Sequence, residues 1–127
     1  MALNENAKKW VEALRSGKYS QCEGTLQNVE GYCCLGVACD VYEKEAEVKL
    51  PRNKHGFYEL DTLSGGFKVV RDWLGLVDSE GGMPPFKGQK DQRYIYTTLT
   101  KLNDHARMSF NEIADVIESR EKGIFKN

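Results

Sequence analysis

The first twenty residues carry one apolar stripe at helical spacing, made of Ala7, Trp10, Val11 and Leu14. Positions i, i+3, i+4 and i+7 lie on one face of an α-helix, so the stripe predicts a helix over residues 4–16. Asn4 or Asn6 can cap its start, and Gly17 stands where a left-handed residue commonly ends a helix.

A second helix is predicted over residues 33–44, inside the sequence EGYCCLGVACDVY. Its apolar side chains form two adjacent stripes, Leu35-Cys39-Tyr42 and Cys34-Ala38-Val41. A helix that is apolar over so much of its circumference is usually buried. We therefore interpret its cysteines as core residues, because free cysteine behaves as a small hydrophobe.

Two more helices are predicted from apolar spacing and end signals. The sequence LSGGFKVVRDWLGL predicts a helix over 66–74 that ends at Gly75. Near the C-terminus, Ser109 and Glu112 form a capping box ahead of an apolar stripe, which predicts a helix over 109–120.

The remaining segments predict a small sheet and a long loop. Strands near 19–27 and 31–33 form a predicted hairpin, and two short strands within 46–63 surround a turn near Asn53–Gly56. The segment YIYTTLTKLND fits either a strand or a short helix. The predicted fold class is α+β, with three to four helices packed on a short, mainly antiparallel sheet.

Length and composition indicate one domain over residues 1–127. The net charge is -1, so no overall basic field favours an extended nucleic acid as partner. No apolar run approaches membrane-spanning length, and the first residues carry no apolar signal segment. We expect a cytoplasmic protein without a membrane contact, in a reducing compartment that disfavours disulfides.

The four cysteines are poorly spaced for zinc, since structural zinc sites prefer two cysteines separated by two to four residues. A cysteine at the start of a buried helix can instead act as a nucleophile, and Cys33 or Cys34 would fill that role. The base would have to be His55 or His105, both in predicted loops. A cysteine-dependent hydrolase is one alternative function; otherwise we expect no catalytic residue and no metal.

An anion site is predicted at the start of the third helix. Free backbone N–H groups at a glycine-rich helix start favour a phosphate. Lys68 and Arg71 lie three residues apart and could close over that phosphate. A second basic group, at the end of the first helix, completes the candidate ligand-binding set: Ser64, Gly65, Gly66, Lys68, Arg71, Arg15, Lys18 and Tyr19. The polar segment 78–92 is a candidate lid.

Four segments in this order resemble a family of small, uncharacterised bacteriophage and prophage proteins: WVEALRSGKYSQ, YCCLGVACDV, VRDWLGL and LNDHARMSFNEIADVIE. The resemblance implies a phage accessory protein acting in the cytoplasm of a bacterial host. Such proteins often block host defence, either by binding a host protein or by trapping or cleaving a nucleotide signal. It carries over no catalytic or ligand-binding residue.

These observations favour a non-enzymatic protein that sequesters a small phosphate-bearing ligand, such as a nucleotide immune signal of the host. A protein–protein antagonist of a host factor is the second hypothesis. No Walker pattern or dinucleotide fingerprint is present, so we predict no cofactor. A homo-oligomer is compatible with this function, since small ligand traps often build pockets between subunits.

Overall fold

The computed structural model describes residues 4–23, 25–58, 68–76, 99–104, 108–119 and 124–125. The elements over these ranges are, in chain order, α1 (Glu5–Arg15), β1 (Gln27–Asn28), β2 (Gly31–Tyr32), α2 (Cys34–Ala46), α3 (Lys68–Leu74), α4 (Leu99–Asp104) and α5 (Phe110–Ser119). The fold is α+β and mostly helical, which confirms the predicted class.

All four predicted helices are present, with ends within two residues of the predicted ones. The capping box of α5 forms as predicted: the Ser109 N–H donates to Glu112 Oε1 at 2.9 Å, and the Glu112 N–H donates to Ser109 Oγ at 3.2 Å. At α1, the Asn4 side chain accepts a hydrogen bond from the Ala7 N–H at 2.8 Å. The ambiguous segment before α5 contains the short helix α4.

The predicted hairpin forms, but its first strand is far shorter than predicted. β1 and β2 are antiparallel, with Asn28 opposite Gly31. The segment around Gln21 instead pairs in parallel with the other side of Tyr32. Its hydrogen bonds run from the Tyr32 N–H to the Ser20 carbonyl and from the Cys22 N–H to the Tyr32 carbonyl, both at 2.8 Å. The chain therefore passes β2 twice, and 19–27 cannot be one continuous strand.

Residues 47–58 contain no strand, so the prediction of strands on both sides of a turn is wrong for this described part of 46–63; residues 59–63 lie outside it. The turn itself is present, because the Gly56 N–H donates to the Asn53 carbonyl at 2.9 Å. The Asn53 side chain accepts from the backbone N–H groups of His55 and Phe57. Side-chain bonds of this kind stabilise a turn without a strand ladder.

Helix α2 lies at the centre of the core. Every residue from Cys34 to Cys39 is buried, which confirms the prediction of a buried helix. Helix α1 packs against it through Trp10, whose indole Nε1–H donates to the Cys34 carbonyl at 2.9 Å. A buried tryptophan usually needs such a partner for its N–H, so this bond fixes how α1 and α2 meet.

The first turn of α2 is approached closely by Leu26, the residue just before β1. A Cβ atom placed on Gly36 would lie 1.9 Å from the Leu26 carbonyl oxygen. That oxygen accepts the Cys33 N–H at 3.0 Å, just before the helix begins. Glycine at position 36 thus permits a backbone contact that no larger residue allows.

We predict that Gly36→Ala lowers the free energy of unfolding by about 2 kcal/mol, because the added methyl group displaces the Leu26 backbone. Alanine's better helix propensity, worth about 1 kcal/mol, works in the opposite direction. Urea unfolding followed by circular dichroism measures the change. Gly17→Ala adds the same methyl group where nothing lies within 4 Å, so it should cost only the strain of its left-handed backbone (φ 76°), about 1 kcal/mol. A Gly36→Ala protein as stable as the wild type would contradict the close approach.

Candidate functional site

The predicted anion site at the third helix is partly described. Outside the described residues lie Ser64, Gly65 and Gly66, as well as the candidate lid over 78–92. Lys68 is exposed at the first residue of α3. Arg71 donates from Nε to Asp72 Oδ1 at 3.2 Å, so a carboxylate already contacts its guanidinium. The anion site at this helix start stays a prediction.

Two other predicted residues, Lys18 and Tyr19, line a surface cleft of about 390 Å³ between α1 and α2. One face of α1 forms one wall, with side chains at i, i+3, i+4 and i+7, and one face of α2 forms the other. The lining residues are Lys9, Glu12, Ala13, Ser16, Lys18, Tyr19, Val41, Lys44 and Glu45. The volume lies within the range of small-molecule sites, roughly 300–1,000 Å³.

The cleft has an apolar base and a charged rim that carries three lysines. Lys9 pairs with Glu45 at 2.5 Å across the two helices. Lys44 pairs with Asp40, one turn earlier on α2, at 3.0 Å. Within the described part of the chain, the Lys18 ammonium forms no ion pair, which leaves it available to an anionic ligand.

Asp40 holds two of the cleft's side chains in place. Its Oδ2 atom accepts from the Tyr19 hydroxyl at 2.5 Å and from Lys44 Nζ at 3.0 Å. The Lys44 ammonium also lies 5.7 Å from the centroid of the Tyr19 ring. Burial and the hydrogen bond to Asp40 raise the pKa of Tyr19 to about 12, so this phenol stays protonated at neutral pH.

Arg15, the remaining predicted residue, does not line this cleft. Its guanidinium faces α5, where Nη2 donates to Asp115 at 2.7 Å and to Glu118 at 2.6 Å. Hydrogen bonds to Glu118 and Asp115 raise the pKa of Arg15. Arg15 therefore connects α1 to α5, and the structure does not bring it together with Lys18 and Tyr19.

One turn beyond Asp40, the Glu43 carboxylate binds the segment that follows α2. It accepts hydrogen bonds from the Leu50 N–H, from both terminal nitrogens of Arg52 and from the Tyr58 hydroxyl. Burial alone would raise the pKa of Glu43, but these donors outweigh it and hold the pKa below its ordinary value. The Arg52 guanidinium also lies 4.3 Å from the centroid of the Tyr58 ring.

The four cysteines are reduced and buried. The Cys34 thiol points at the Leu99 carbonyl of α4, with Sγ 3.7 Å from the oxygen, and burial raises the pKa of the Cys39 thiol. A nucleophile must be an accessible thiolate, and apolar burial keeps a thiol protonated. His55 is exposed in its turn, and His105 lies outside the described residues. The hydrolase alternative gains no support from the described cysteines.

Metal-ligating side chains are not clustered over the described ranges: no group of three or more Cys, His, Asp or Glu residues there is arranged to hold an ion.

A second cavity, of about 400 Å³, is lined by Gln21, Cys22, Glu23, Glu30 and Met108. One of its lining residues, Gln21, donates from its side chain to Asn103 Oδ1 at 2.7 Å and to the Met108 carbonyl at 2.8 Å. Asn103 is fully buried and donates to the Cys22 carbonyl at 2.7 Å. These bonds join α4 to the segment before β1, so Asn103 has a structural role.

Comparison with protein families identifies one family, Domain of unknown function (DUF8296), whose profile matches residues 3–121. The chain belongs to this family. No curated protein and no solved structure shows a significant match to it. Membership in DUF8296 therefore describes nearly the whole chain and assigns no activity. None of the described helices has the length and apolar character needed to cross a membrane.

Sequence reasoning missed Lys9 and Lys44, which line the cleft, and Asp40, which binds Lys44 and Tyr19 beside it. Lys9 and Lys44 are exposed lysines on helices, and a single exposed lysine does not distinguish a binding site from an ordinary solvated surface. A usable signal was present, because Lys9 and the other α1 cleft residues share one helical face of mostly polar residues. That this face meets α2 follows only from the packing of the two helices.

We predict that Glu43→Gln lowers the free energy of unfolding at pH 7 by about 2 kcal/mol. Hydrogen bonds to a charged group are strong, and the substitution removes the charged acceptor of Leu50, Arg52 and Tyr58 at once. Glu45→Gln is the matched control on the same helix, because its pair with Lys9 is exposed to solvent and contributes little to stability. Chemical denaturation measures both. Equal stability of the two variants would contradict the role of Glu43.

The same carboxylate predicts a pH dependence. Since the pKa of Glu43 is lower in the folded chain than the ordinary 4.5, its stabilisation is complete above that pH. It is lost as the pH falls through the folded-state pKa. The stability of Glu43→Gln should therefore decrease less steeply below pH 4.5 than that of the wild type, in denaturation measured from pH 7 to pH 3. Parallel pH profiles would be inconsistent with this account.

Proposed function

We propose that this DUF8296 chain is a non-enzymatic phage or prophage accessory protein that sequesters a small phosphate-bearing ligand in the α1–α2 cleft. The observation that carries the proposal is the meeting of Lys18 and Tyr19 with Lys9 and Lys44 around one cleft of ligand size. A nucleotide signal of the host's defence is the ligand class that fits a phage protein in the bacterial cytoplasm.

The chemistry of the cleft supports a small ligand with an apolar body and an anionic group. Ala13, Val41 and the Tyr19 ring supply apolar contact area. The Lys18 ammonium supplies a cation whose charge no described carboxylate neutralises. Few polar groups around an apolar base are typical of small-molecule sites.

Differential scanning fluorimetry with cyclic nucleotides, nucleoside mono- and diphosphates and ADP-ribose tests the proposal. A ligand present at a hundredfold excess over its Kd adds about 2.7 kcal/mol, which in a chain of this size raises Tm by about 10 °C. Lys18→Ala should remove most of the shift without changing the Tm of the unliganded protein, because its side chain is exposed.

Lys54→Ala, which removes an exposed lysine in the 53–56 turn, is the matched control and should leave the shift unchanged. If no phosphate-bearing compound of this panel shifts Tm, or if Lys54→Ala reduces the shift as much as Lys18→Ala, the proposal is refuted.

A protein–protein antagonist of a host factor is the second candidate, favoured by the charge balance of the same surface. Glu12 and Glu45 line the cleft together with the lysines, and the cleft lies beside the C-terminal end of α1, whose dipole disfavours anions. A surface with an apolar centre and a rim of both charges also suits a protein partner. Capture of one host protein by the wild type, lost in Lys18→Ala, with no ligand-induced shift in Tm, would favour this candidate.

A further inference from the structure

The ion pairs beside the cleft bear on which kind of phosphate it binds. No carboxylate among the described residues pairs with Lys18, whereas the Lys44 ammonium already contacts the Asp40 carboxylate at 3.0 Å. Asp40 is mostly covered, with 15% of its side chain exposed, while the Lys44 side chain is 69% exposed. The carboxylate is thus fixed and the ammonium can turn toward the cleft.

A ligand recruits Lys44 only if it attracts the ammonium more strongly than Asp40 does. A phosphodiester carries one negative charge, the same as the carboxylate, and gains nothing by the exchange. A terminal phosphate monoester carries close to two charges at pH 7, because its second pKa is about 6. By Coulomb's law the dianion attracts an ammonium about twice as strongly at equal distance.

Resting on the function proposed above, we infer that the cleft is specific for terminal phosphate monoesters over phosphodiesters, and that Asp40 is the positioning residue that sets this preference. The Asp40 carboxylate holds the Lys44 ammonium until a phosphate dianion takes its place as the partner of Lys44. The other charged groups that face the ligand are Lys9, Glu12, Lys18 and Glu45, and Tyr19 remains protonated. The second pKa of the ligand's phosphate, about 6, lies between the two pH values compared below, so the preference should follow the charge of the ligand.

Adenosine 5′-monophosphate and adenosine 3′,5′-cyclic monophosphate are matched probes, because they differ in the phosphate while sharing the nucleoside. Calorimetric titration at pH 7.5 should give an affinity for the monoester about three- to fivefold higher than for the diester, the range of a surface ion pair. At pH 5.5 the monoester is mostly a monoanion, and the preference should disappear.

Two variants separate the role of Asp40 from a structural one. Asp40→Asn keeps an oxygen for the Tyr19 hydroxyl but releases Lys44, so affinity for the cyclic diester should rise more than affinity for the monoester. Lys44→Gln should lower monoester affinity to that of the diester and leave diester affinity unchanged. Asp115→Asn, the same change in the Arg15 pair on α5, is the matched control and should alter neither affinity.

Equal binding of both nucleotides by the wild type at pH 7.5 would overturn the inference while leaving the proposed function standing. So would a monoester preference that persists unchanged in Asp40→Asn and Lys44→Gln. If neither nucleotide binds the wild type, this inference fails; the proposed function is judged separately, by the Tm shifts of the whole panel of phosphate-bearing compounds and by the Lys54→Ala control.

Discussion

The structure depends on how closely the first half of α2 is approached by its neighbours. On one side, the Leu26 carbonyl occupies the space that a side chain on residue 36 would need. On another, the Trp10 indole bonds to the first carbonyl of the helix. Interiors packed at crystal-like density leave no room to shift such contacts. These two contacts therefore set where β1, β2 and α1 lie relative to α2.

The second half of α2 extends out of the core, and its carboxylates bind polar side chains of the neighbouring segments. Asp40 and Glu43 lie about one turn apart, and each carboxylate gathers a cation and a tyrosine hydroxyl: Lys44 and Tyr19 for the first, Arg52 and Tyr58 for the second. Tyr32 lies between the two tyrosines, with ring centroids 5.1 Å from Tyr19 and 6.4 Å from Tyr58. One helix, fixed at its buried end, thus positions both the cleft and the segment that follows α2.

The helices could be predicted from sequence because their information is local. Apolar spacing located α1 and α2, and the pair Ser109 and Glu112 located the start of α5. The parallel pairing of Gln21 with Tyr32 could not be predicted, because it depends on a segment that passes the same strand twice. The same holds for the candidate site, of which only the part that lies in one local segment could be predicted. Lys18 and Tyr19 were found from local composition, whereas Lys9, Lys44 and Asp40 join them only through the packing of two helices.

We propose that the α1–α2 cleft holds a small phosphate-bearing molecule in the cell. Mass spectrometry of the small molecules released by heat from the protein, purified after expression in bacteria, tests it most directly, with Lys18→Ala purified in parallel. We expect a phosphate-containing compound, near one molecule per chain, released from the wild type and depleted in the variant. Release of no such compound, or of equal amounts from both proteins, would contradict the claim.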